Sequence, residues 1–298
     1  MVVITDVASR AGSLLASELL KNGENVLGID DTRGRMARLI SEGMEGVVGD
    51  ISDPVFLSST LSDADALFLI VPLRADGNNF RRYFIDVADS AVKALHDSKV
   101  KNVFFLSSLG ADEKEEAGFL SGYGDVEEIL ESVSIENVIL FRPGYYMDHL
   151  LPKISMIRSS DMVGDVIKGD TPLYFTDLRD VAQNMASMYK NRTFYGRSKV
   201  EMYSDKASLR KAVRMIGESI GVPELPFIHF SDQDYRNYLL EHGASMPFAN
   251  MYVEMGDAIS RGVMEPSLVE VPNLPTRLSD FIQNVFIPAY RSGSEDVQ

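Results

Sequence analysis

Residues 6–12, with the sequence Asp-Val-Ala-Ser-Arg-Ala-Gly, connect the apolar run 2–5 to a helix-like segment that begins at Gly12. A dinucleotide-binding fold places its glycine-rich turn at this point. There the first glycine permits a tight turn, the second lets the backbone approach the pyrophosphate, and the third lets the helix pack on the strand. The N-terminus of the helix also favours an anion. Here only the third glycine is present, because Asp6 and Ser9 occupy the first two positions.

This altered turn has two interpretations. In the first it still binds a nucleotide, although Asp6 places a negative charge near the pyrophosphate at a cost of about 1–4 kcal/mol. Arg10 could offset part of that cost. The Ser9 side chain limits backbone approach, but its hydroxyl could donate to a phosphate oxygen. In the second interpretation Asp6 only caps the helix, and nucleotide binding has been lost.

An acidic pair, Asp30 and Asp31, follows the second apolar run, 18 residues after the last glycine of the turn. A carboxylate there accepts hydrogen bonds from the adenosine ribose hydroxyls and repels a 2′-phosphate, which favours NAD over NADP. Arg33 and Arg35 lie close in sequence and could serve a 2′-phosphate instead. Alternatively, the acidic pair simply turns the chain. Asp50, after the third apolar run, is a candidate for contact with the adenine edge.

The first 150 residues alternate short apolar runs with segments of helical periodicity. The apolar runs are at 2–5, 25–29, 46–48, 66–71, 103–106 and 137–141, and the helical segments are at 12–22, 33–42, 53–61, 80–97 and 124–131. This alternation predicts a parallel sheet covered on both faces, with ligands at the carboxyl ends of the strands.

The rhythm changes in the second half of the chain. Helices are predicted at 177–189, 208–220, 232–242, 246–260 and 279–286, with a strand at 198–203. The predicted fold class is therefore α/β, a Rossmann-like doubly wound parallel sheet with a smaller, mainly helical C-terminal cap. We expect the Rossmann domain at 1–150 and the cap at 151–298, with about 170–205 returning to the sheet. The polar tail 292–298 is predicted to be loose.

Several motifs, taken in order, resemble the NmrA-like branch of the atypical short-chain dehydrogenases/reductases. The two most specific are Arg-Pro-Gly-Tyr-Tyr-Met at 142–147 and Ser-Ser-Leu-Gly-Ala at 107–111. The resemblance implies a Rossmann domain with a small cap and an NAD(P) site along the strand ends. Members of the family include quinone and azo-type reductases, isoflavone-reductase-like enzymes, and non-catalytic redox sensors that regulate partner proteins.

The resemblance and the turn together place a cofactor site on one set of residues. They are Asp6, Ala8, Ser9, Arg10, Ala11, Gly12, Asp30, Asp31, Arg33, Asp50, Ile51, Val71, Pro72, Ser107, Ser108, Pro143 and Tyr145. Two departures from the family stand out: its turn is Gly-Ala-Thr-Gly-x-x-Gly, and its basic residue after the second strand is here Asp30. The first leaves open whether any cofactor binds, and the second favours NAD over NADP.

Three residues are candidates for catalysis. Related dehydrogenases use a Tyr with a Lys four residues later, where the Lys lowers the Tyr pKa. Here Tyr123 is followed by Glu127, and a carboxylate there is expected to raise the phenol pKa. Tyr145 and His149 lie in the loop that lines the nicotinamide and substrate pocket in the family. Each of the three also has a plain structural interpretation as a packing residue.

Three functions follow. The first is an NAD(P)H-dependent reductase of a small quinone-like or apolar acceptor. The second is a non-catalytic dinucleotide sensor with a regulatory protein partner, and the third is a fold that has lost its cofactor. Hydride transfer depends mainly on orientation, so the missing Tyr-Lys pair does not exclude the first.

Composition limits the remaining classes of function. The formal net charge of −15 argues against direct nucleic-acid binding. The chain has no cysteine, which excludes thiol chemistry, and its four histidines show no ligand spacing, so no metal site is expected. No basic leader and no apolar run of 18 residues is present, so we expect a cytoplasmic protein that does not bind membranes.

Overall fold

The computed structural model describes residues 1–292, and a sheet of seven parallel strands forms its centre. The strands in this part of the chain are β1 (Val2–Ile4), β2 (Val26–Asp30), β3 (Glu45–Val48), β4 (Ala66–Leu69), β5 (Asn102–Leu106), β6 (Asn137–Pro143), β7 (Tyr145–Tyr146), β8 (Val163–Asp165), β9 (Leu173–Thr176), β10 (Arg197–Met202), β11 (Asp205–Ala207) and β12 (Phe227–His229).

Helices connect these strands. The α-helices are α1 (Arg10–Lys21), α2 (Ala37–Ser41), α3 (Pro54–Leu61), α4 (Phe80–His96), α5 (Phe119–Glu131), α6 (Lys153–Ser160), α7 (Leu178–Asn191), α8 (Leu209–Ile220), α9 (Asp232–Glu241), α10 (Met246–Ser260), α11 (Leu278–Phe281) and α12 (Ile287–Ser292). A 3₁₀-helix spans Met147–Leu150, and a π-helix spans Ile282–Phe286. Among residues 1–292, none of the helices combines the length and apolar character that a membrane span requires.

The strand order reverses next to β1. Across the main sheet the order is β10-β6-β5-β4-β1-β2-β3, and β1 pairs in parallel with both β2 and β4. The loops after β1 and β4 therefore run in opposite directions and leave a crevice at the carboxyl edge of the sheet. The predicted Rossmann-like doubly wound sheet is confirmed.

Both faces of the sheet are packed. Val3 and Leu67 point into the apolar layer on one face, whereas Ile4 and Phe68 point into the layer on the other, and all four are fully buried. Alternate residues of a strand point to opposite faces. A strand that is buried on both faces therefore has the near-continuous apolar sequence seen here.

The C-terminal region is mainly helical, as predicted. Helix α10 packs against α9 and also against α5 of the main sheet domain. Two small sheets accompany these helices, with the strand orders β11-β9-β7 and β12-β8. They bring segments of the cap next to the carboxyl end of β6.

The structure narrows one expectation about the elements and corrects two others. Of the stretch 170–205, β10 joins the main sheet, but β9 pairs with β7 and β11, because β7 diverges from the sheet directly after β6. The helix predicted at 33–42 covers only α2, since 33–36 form turns around a residue, Gly34, that disfavours helix. The helix predicted at 279–286 continues through the π-helix into α12. Residues 293–298 of the predicted loose tail lie outside the described residues.

Candidate functional site

The turn after β1 is built around Asp6. Its φ is +47°, a left-handed conformation that is uncommon for residues other than glycine and least unfavourable for Asn and Asp. Asp6 thus adopts the backbone geometry for which the usual first glycine is suited. The Asp6 carbonyl accepts hydrogen bonds from the backbone N–H of Ser9 at 3.0 Å and from the Ser9 hydroxyl at 2.7 Å.

Ser9, and not Asp6, caps helix α1. Its side-chain oxygen accepts from the backbone N–H of Gly12 at 3.1 Å, the arrangement of a helix N-cap. The single hydroxyl proton of Ser9 is directed to the Asp6 carbonyl, so it is not available to a phosphate in this arrangement. A Cβ built on Gly12 would lie 2.4 Å from the Asp6 carbonyl oxygen, which explains why the third glycine is present.

A polar cavity of about 430 Å³ opens at the carboxyl ends of β1, β2 and β3. Four carboxyl groups and two guanidinium groups line it, together with a phenol ring. These polar lining residues are Asp6, Asp30, Asp31, Asp50, Arg35, Arg74 and Tyr83. The remaining walls of the polar cavity are Ile29, Gly49, Ile51 and Pro72.

Asp30 is largely occupied by the protein itself. Its side chain is buried, and its carboxylate accepts from the backbone N–H of Ala8 at 3.1 Å and from Arg35 at 3.0 Å. Burial raises the pKa of Asp30. The neighbouring Asp31 is more accessible and pairs with Arg74 at 2.5 Å. Asp31 is therefore better placed than Asp30 to meet a ligand.

The arginines differ from the sequence-based expectation in one respect. Arg33 does not line the polar cavity, and its guanidinium lies 3.4 Å from the Gly46 carbonyl. Arg35 does line it, as does Arg74 from the loop after β4, and both pair with Asp31. The two cations nearest a ligand in this cavity are thus already paired with carboxylates.

The Asp6 carboxyl has an unusual acidity. Desolvation by burial, followed by repulsion from Asp30, raises the pKa of Asp6 to about 7, although Arg35 opposes the shift. Asp6 is therefore partly protonated at neutral pH, unlike an ordinary aspartate. A protonated carboxyl removes the charge that would repel a pyrophosphate, and it can donate a hydrogen bond.

Arg10 lies on the other side of the turn. Its guanidinium Nε is 3.1 Å from Oδ1 of Asp148, a residue of the 3₁₀-helix after β7. Burial raises the pKa of Asp148, while Arg10 lowers it. The contact joins the first turn of α1 to the segment that follows the Arg-Pro-Gly-Tyr-Tyr motif.

A second, largely apolar cavity of about 200 Å³ lies at the ends of β5 and β6 under the cap. We call it the aromatic cavity. It is lined by Leu73, Ser107, Ser108, Phe119, Leu120, Tyr123, Gly144, Tyr145, Tyr146, His149, Phe248, Tyr252, Met255, Ile259 and Met264. The polar and aromatic cavities are neighbours after β4, where Pro72 lines the first and Leu73 the second.

Tyr123 lies on helix α5 and packs edge-to-face on Phe84, with ring centroids 5.1 Å apart. Burial raises the pKa of Tyr123 well above its usual range, and the nearby Asp6 raises it further. The expected increase in pKa is present, but its source is not Glu127. The phenol is a weak acid in this environment.

Glu127 instead belongs to a buried network. Arg142 donates to its Oε1 from Nε at 2.8 Å, and Ser107 donates to the same oxygen at 2.6 Å. Arg142 also pairs with Asp112. The position that holds a lysine in related dehydrogenases is thus occupied here by Glu127. Its carboxylate binds Arg142 of the Arg-Pro-Gly motif and links that residue to helix α5.

Tyr145 and His149 both line the aromatic cavity, with ring centroids 5.0 Å apart. The hydroxyl oxygen of Tyr145 is buried and has no hydrogen-bond partner. His149 is accessible from the cavity, and desolvation by the surrounding protein lowers its pKa to about 4. The imidazole is therefore neutral at physiological pH and is not a ready proton donor.

The candidate cofactor residues fall into three groups. The polar cavity gathers Asp6, Asp30, Asp31, Asp50, Ile51 and Pro72, and the aromatic cavity gathers Ser107, Ser108 and Tyr145. Neither cavity is lined by Ala8, Ser9, Arg10, Ala11, Gly12, Arg33, Val71 or Pro143. Most of this last group shapes the turn or the buried strand ends.

Several lining residues were not predicted. Arg74 and Tyr83 follow β4 in a loop and a helix without any motif, and Tyr252 lies on a cap helix far away in sequence. No short pattern marks them, because folding brings them to the strand ends from three separate segments. Within residues 1–292, no group of three or more His, Asp or Glu side chains is arranged to hold a metal ion.

Comparison with known proteins agrees with this geometry. Residues 8–150 match the model of an NAD(P)H-binding family. No curated protein sequence matches the chain. The fold, the strand order and the cavity at the strand ends are those of a Rossmann-type nucleotide-binding domain.

Solved structures share the fold over almost the entire chain. Triphenylmethane reductase of Citrobacter sp., complexed with NADP(H), is 18% identical with a TM-score of 0.81, covering 95% of this chain and 99% of that one. NADPH-dependent quinone oxidoreductase of Escherichia coli, complexed with NADPH, is 20% identical with a TM-score of 0.79, covering 96% and 100%. A nucleoside-diphosphate-sugar epimerase of Staphylococcus aureus is 16% identical with a TM-score of 0.80, covering 95% and 99%.

These findings agree with the resemblance inferred from the motifs. Residues 8–150 match an NAD(P)H-binding family, and almost the entire chain shares the fold of these solved structures.

Proposed function

We propose that this protein binds NADH in the two adjoining cavities and reduces a small, planar, quinone-like acceptor. The observation that carries the proposal is that a polar cavity at β1–β3 adjoins an aromatic cavity at β5–β6 on the same edge of the sheet, where Pro72 lines the first and Leu73 the second. In this proposal residues 1–150 supply the nucleotide site and the cap at 151–298 closes over the acceptor.

The polar cavity suits an adenosine moiety. Asp31 and Asp50 are carboxylates at the ends of β2 and β3, where ribose hydroxyls and an adenine edge need acceptors. Tyr83 offers a ring beside them. Four carboxyl groups against two paired arginines make this a poor place for an additional 2′-phosphate, which supports NADH over NADPH.

The pyrophosphate would lie beside Asp6, at the start of α1. A protonated Asp6 removes the repulsion that its carboxylate would exert there. Binding is therefore expected to be stronger below pH 7 than above it. The backbone N–H groups of Ala8 and Gly12 already donate to the Asp30 carboxylate and to the Ser9 hydroxyl oxygen. Because these two donors are occupied, we expect only moderate affinity for NADH.

The aromatic cavity suits a nicotinamide and a flat acceptor together. Its lining is rich in aromatic rings and methionine side chains, and its serine hydroxyls are bonded within the protein. When bound, a reduced nicotinamide supplies hydride chemistry that needs mainly orientation. Tyr145 and the main chain around Gly144 hold the inner wall, while His149 stays neutral and limits proton exchange there.

Titration by calorimetry at pH 6.0 with NADH and with NADPH tests the binding claim. We expect NADH to bind at least tenfold more tightly. Absence of binding of both at millimolar concentration would contradict the proposal and favour a fold that has lost its cofactor. Turnover is then tested with NADH and 1,4-naphthoquinone. Binding without turnover of quinones or azo dyes would instead support a non-catalytic sensor that acts on a protein partner.

A further inference from the structure

A side chain from the loop after β4 crosses the polar cavity. Arg74 lies in that loop, and its guanidinium Nη1 is 2.5 Å from Oδ2 of Asp31, the residue that directly follows β2. The strand order places β1 between β4 and β2. Because neighbouring strands are about 4.8 Å apart, a side chain that starts on the β4 side and ends on the β2 side passes over the carboxyl end of β1.

Two further observations place the start of this loop beside the altered turn. The Thr5 hydroxyl donates to the Ile70 carbonyl and accepts from the Ile70 backbone N–H, both at 2.7 Å, so the loops after β1 and β4 leave the sheet side by side. Burial and the charge of Asp50 raise the pKa of Tyr83 to about 12, Asp6 adds to the increase, and Arg74 opposes it. Asp6 and Arg74 therefore flank the crevice where a Rossmann fold binds a pyrophosphate.

The backbone of the loop is fastened to the cap, whereas the Arg74 side chain is not. Ser245, which caps helix α10, donates from its backbone N–H to the Ala75 carbonyl at 2.8 Å and from its hydroxyl to the Gly77 carbonyl at 2.5 Å. The Gly77 backbone N–H donates to the Arg74 carbonyl at 2.9 Å. The Arg74 side chain itself is more than half exposed. Its guanidinium can therefore turn within the cavity while the main chain stays in place.

The present partners of Arg74 hold it only weakly. They are Asp31, whose side chain is 35% exposed, and Asp76, which is largely exposed and 3.7 Å from the guanidinium Nε. Ion pairs between exposed groups contribute little to stability. If Arg74 leaves, Asp31 also keeps a second cation, Arg35, at 3.4 Å. A pyrophosphate offers a guanidinium several charged oxygens in bidentate geometry, which is among the strongest hydrogen-bonded arrangements.

The other arginines near the turn are less available to a ligand. Arg35 is 3.0 Å from the buried carboxylate of Asp30, and its departure would leave that carboxylate without its cation. Arg10 is engaged in an ion pair on the other side of the turn, and Arg33 does not line the polar cavity. Among these arginines, Arg74 combines a place in the cavity wall with partners that are accessible to solvent.

We propose that Arg74 is a pyrophosphate-binding residue that exchanges Asp31 for the ligand. When a dinucleotide enters, the guanidinium leaves the Asp31 carboxylate and binds the pyrophosphate oxygens, and the released carboxylate accepts the adenosine ribose hydroxyls. The inference rests on the proposed NADH-binding function. Protonation of Asp6 only removes a repulsion, whereas the movement of Arg74 adds a cation at the place where the negative charge of the ligand lies.

Calorimetric titration at pH 6.0 with adenosine and with ADP-ribose tests this exchange, because only ADP-ribose carries a pyrophosphate. Arg74→Ala should weaken ADP-ribose binding by about 10- to 100-fold, the value for hydrogen bonds to a charged group. The same variant should leave adenosine binding unchanged or strengthen it by up to about fivefold, because Asp31 is released. Arg74→Lys keeps the charge without the bidentate geometry and should weaken ADP-ribose binding about threefold to tenfold.

Arg33→Ala is the matched control, since Arg33 is an exposed arginine that does not line the polar cavity. It should change the affinity for both probes by less than about twofold. Equal losses of adenosine and ADP-ribose binding in Arg74→Ala would indicate a merely structural role and overturn the proposal. Unchanged ADP-ribose affinity in that variant, or no binding of ADP-ribose to the wild type at millimolar concentration, would also overturn it.

A crystal structure of the wild type with ADP-ribose at pH 6.0 observes the exchange directly and does not depend on how a variant folds. The Arg74 guanidinium should lie within about 3.2 Å of a pyrophosphate oxygen. Asp31 should contact the ribose hydroxyls in place of Arg74. Electron density that shows ADP-ribose bound and Arg74 still paired with Asp31 would overturn the proposal.

The reductase function and the role of Arg74 can fail separately. If ADP-ribose binds with the expected dependence on Arg74 but the wild type does not reduce 1,4-naphthoquinone with NADH, the reductase function fails and the role of Arg74 stands. If NADH binds with equal affinity to the wild type and to Arg74→Ala, the NADH site stands and the role of Arg74 fails.

Discussion

Replacement of Asp6 by asparagine should remove the pH dependence of NADH binding. Asparagine keeps nearly the same size and tolerates the left-handed conformation that Asp6 adopts, so the turn should be preserved. What changes is the charge. With a pKa of about 7, the Asp6 carboxyl is about one-tenth ionised at pH 6 and about nine-tenths ionised at pH 8.

The magnitude follows from the electrostatics of the turn. A phosphate charge roughly 6 Å from an ionised Asp6, at an effective dielectric constant of about 20–40, costs about 1–3 kcal/mol. That is about a 5- to 150-fold loss of affinity. The other groups that face Asp6 stay in place in the Asp6→Asn variant; they are Asp30, Asp31, Arg35, Tyr83 and Tyr123.

The assay is calorimetric titration of NADH at pH 6 and pH 8 at constant ionic strength. Wild-type affinity should fall about threefold to ninefold from pH 6 to pH 8, because the protonated fraction of Asp6 falls about tenfold over this range. Asp6→Asn should bind equally at both, matching the wild type at pH 6. Asp50→Asn, which removes a different carboxylate from the polar cavity, should keep the pH dependence. An identical pH dependence in Asp6→Asn and wild type would refute this explanation of the turn.

Three further predictions concern stability. The folded-state pKa of Asp6 lies above its ordinary value. The stabilisation of the folded state by Asp6 is therefore fully present below about pH 4 and is lost as the pH rises through about 7. Between pH 5 and pH 8, the free energy of unfolding measured with urea should therefore fall by about 2–3 kcal/mol more for the wild type than for Asp6→Asn. Parallel pH dependences of the two unfolding free energies would contradict this. Glu127→Lys should lower the free energy of unfolding by about 3 kcal/mol or more, because the new ammonium group would lie against the buried Arg142 guanidinium. The variant should also create no active Tyr-Lys pair. A stable variant with higher reductase activity would contradict both expectations. Gly12→Ala should cost about 1–3 kcal/mol in the same assay, since its Cβ would meet the Asp6 carbonyl, and an unchanged midpoint would disprove that contact.

The strands and helices of the main sheet domain could be predicted from the sequence because the signals are local. Apolar runs such as β4 have no polar residue, and helix starts carry caps such as Asp53 before Pro54. Both patterns involve only a few neighbouring residues, so they can be recognised without knowledge of tertiary contacts. The place of the altered turn, between β1 and α1, could be predicted for the same reason.

The roles of individual side chains depended on tertiary contacts. Ser9 takes the capping role considered for Asp6, because only the folded turn shows which oxygen faces the amide of Gly12. Glu127 looked like a partner of Tyr123 but binds Arg142, 15 residues later in sequence. Spacing on one helix does not reveal a partner on a neighbouring strand.

The acceptor side of the site was least predictable. Tyr252 reaches the aromatic cavity from a cap helix whose sequence has no motif. By contrast, Tyr145 could be placed there from the family motif alone. Residues that act through long-range packing carry no short sequence signal.

The most direct test of NADH binding across the two cavities is a crystal structure of the protein grown at pH 6 and soaked with NADH. We expect adenosine between Asp31, Asp50 and Tyr83, the pyrophosphate beside a protonated Asp6, and the nicotinamide in the aromatic cavity facing Tyr145. Electron density for NADH elsewhere, or none at saturating concentration, would contradict the proposed site.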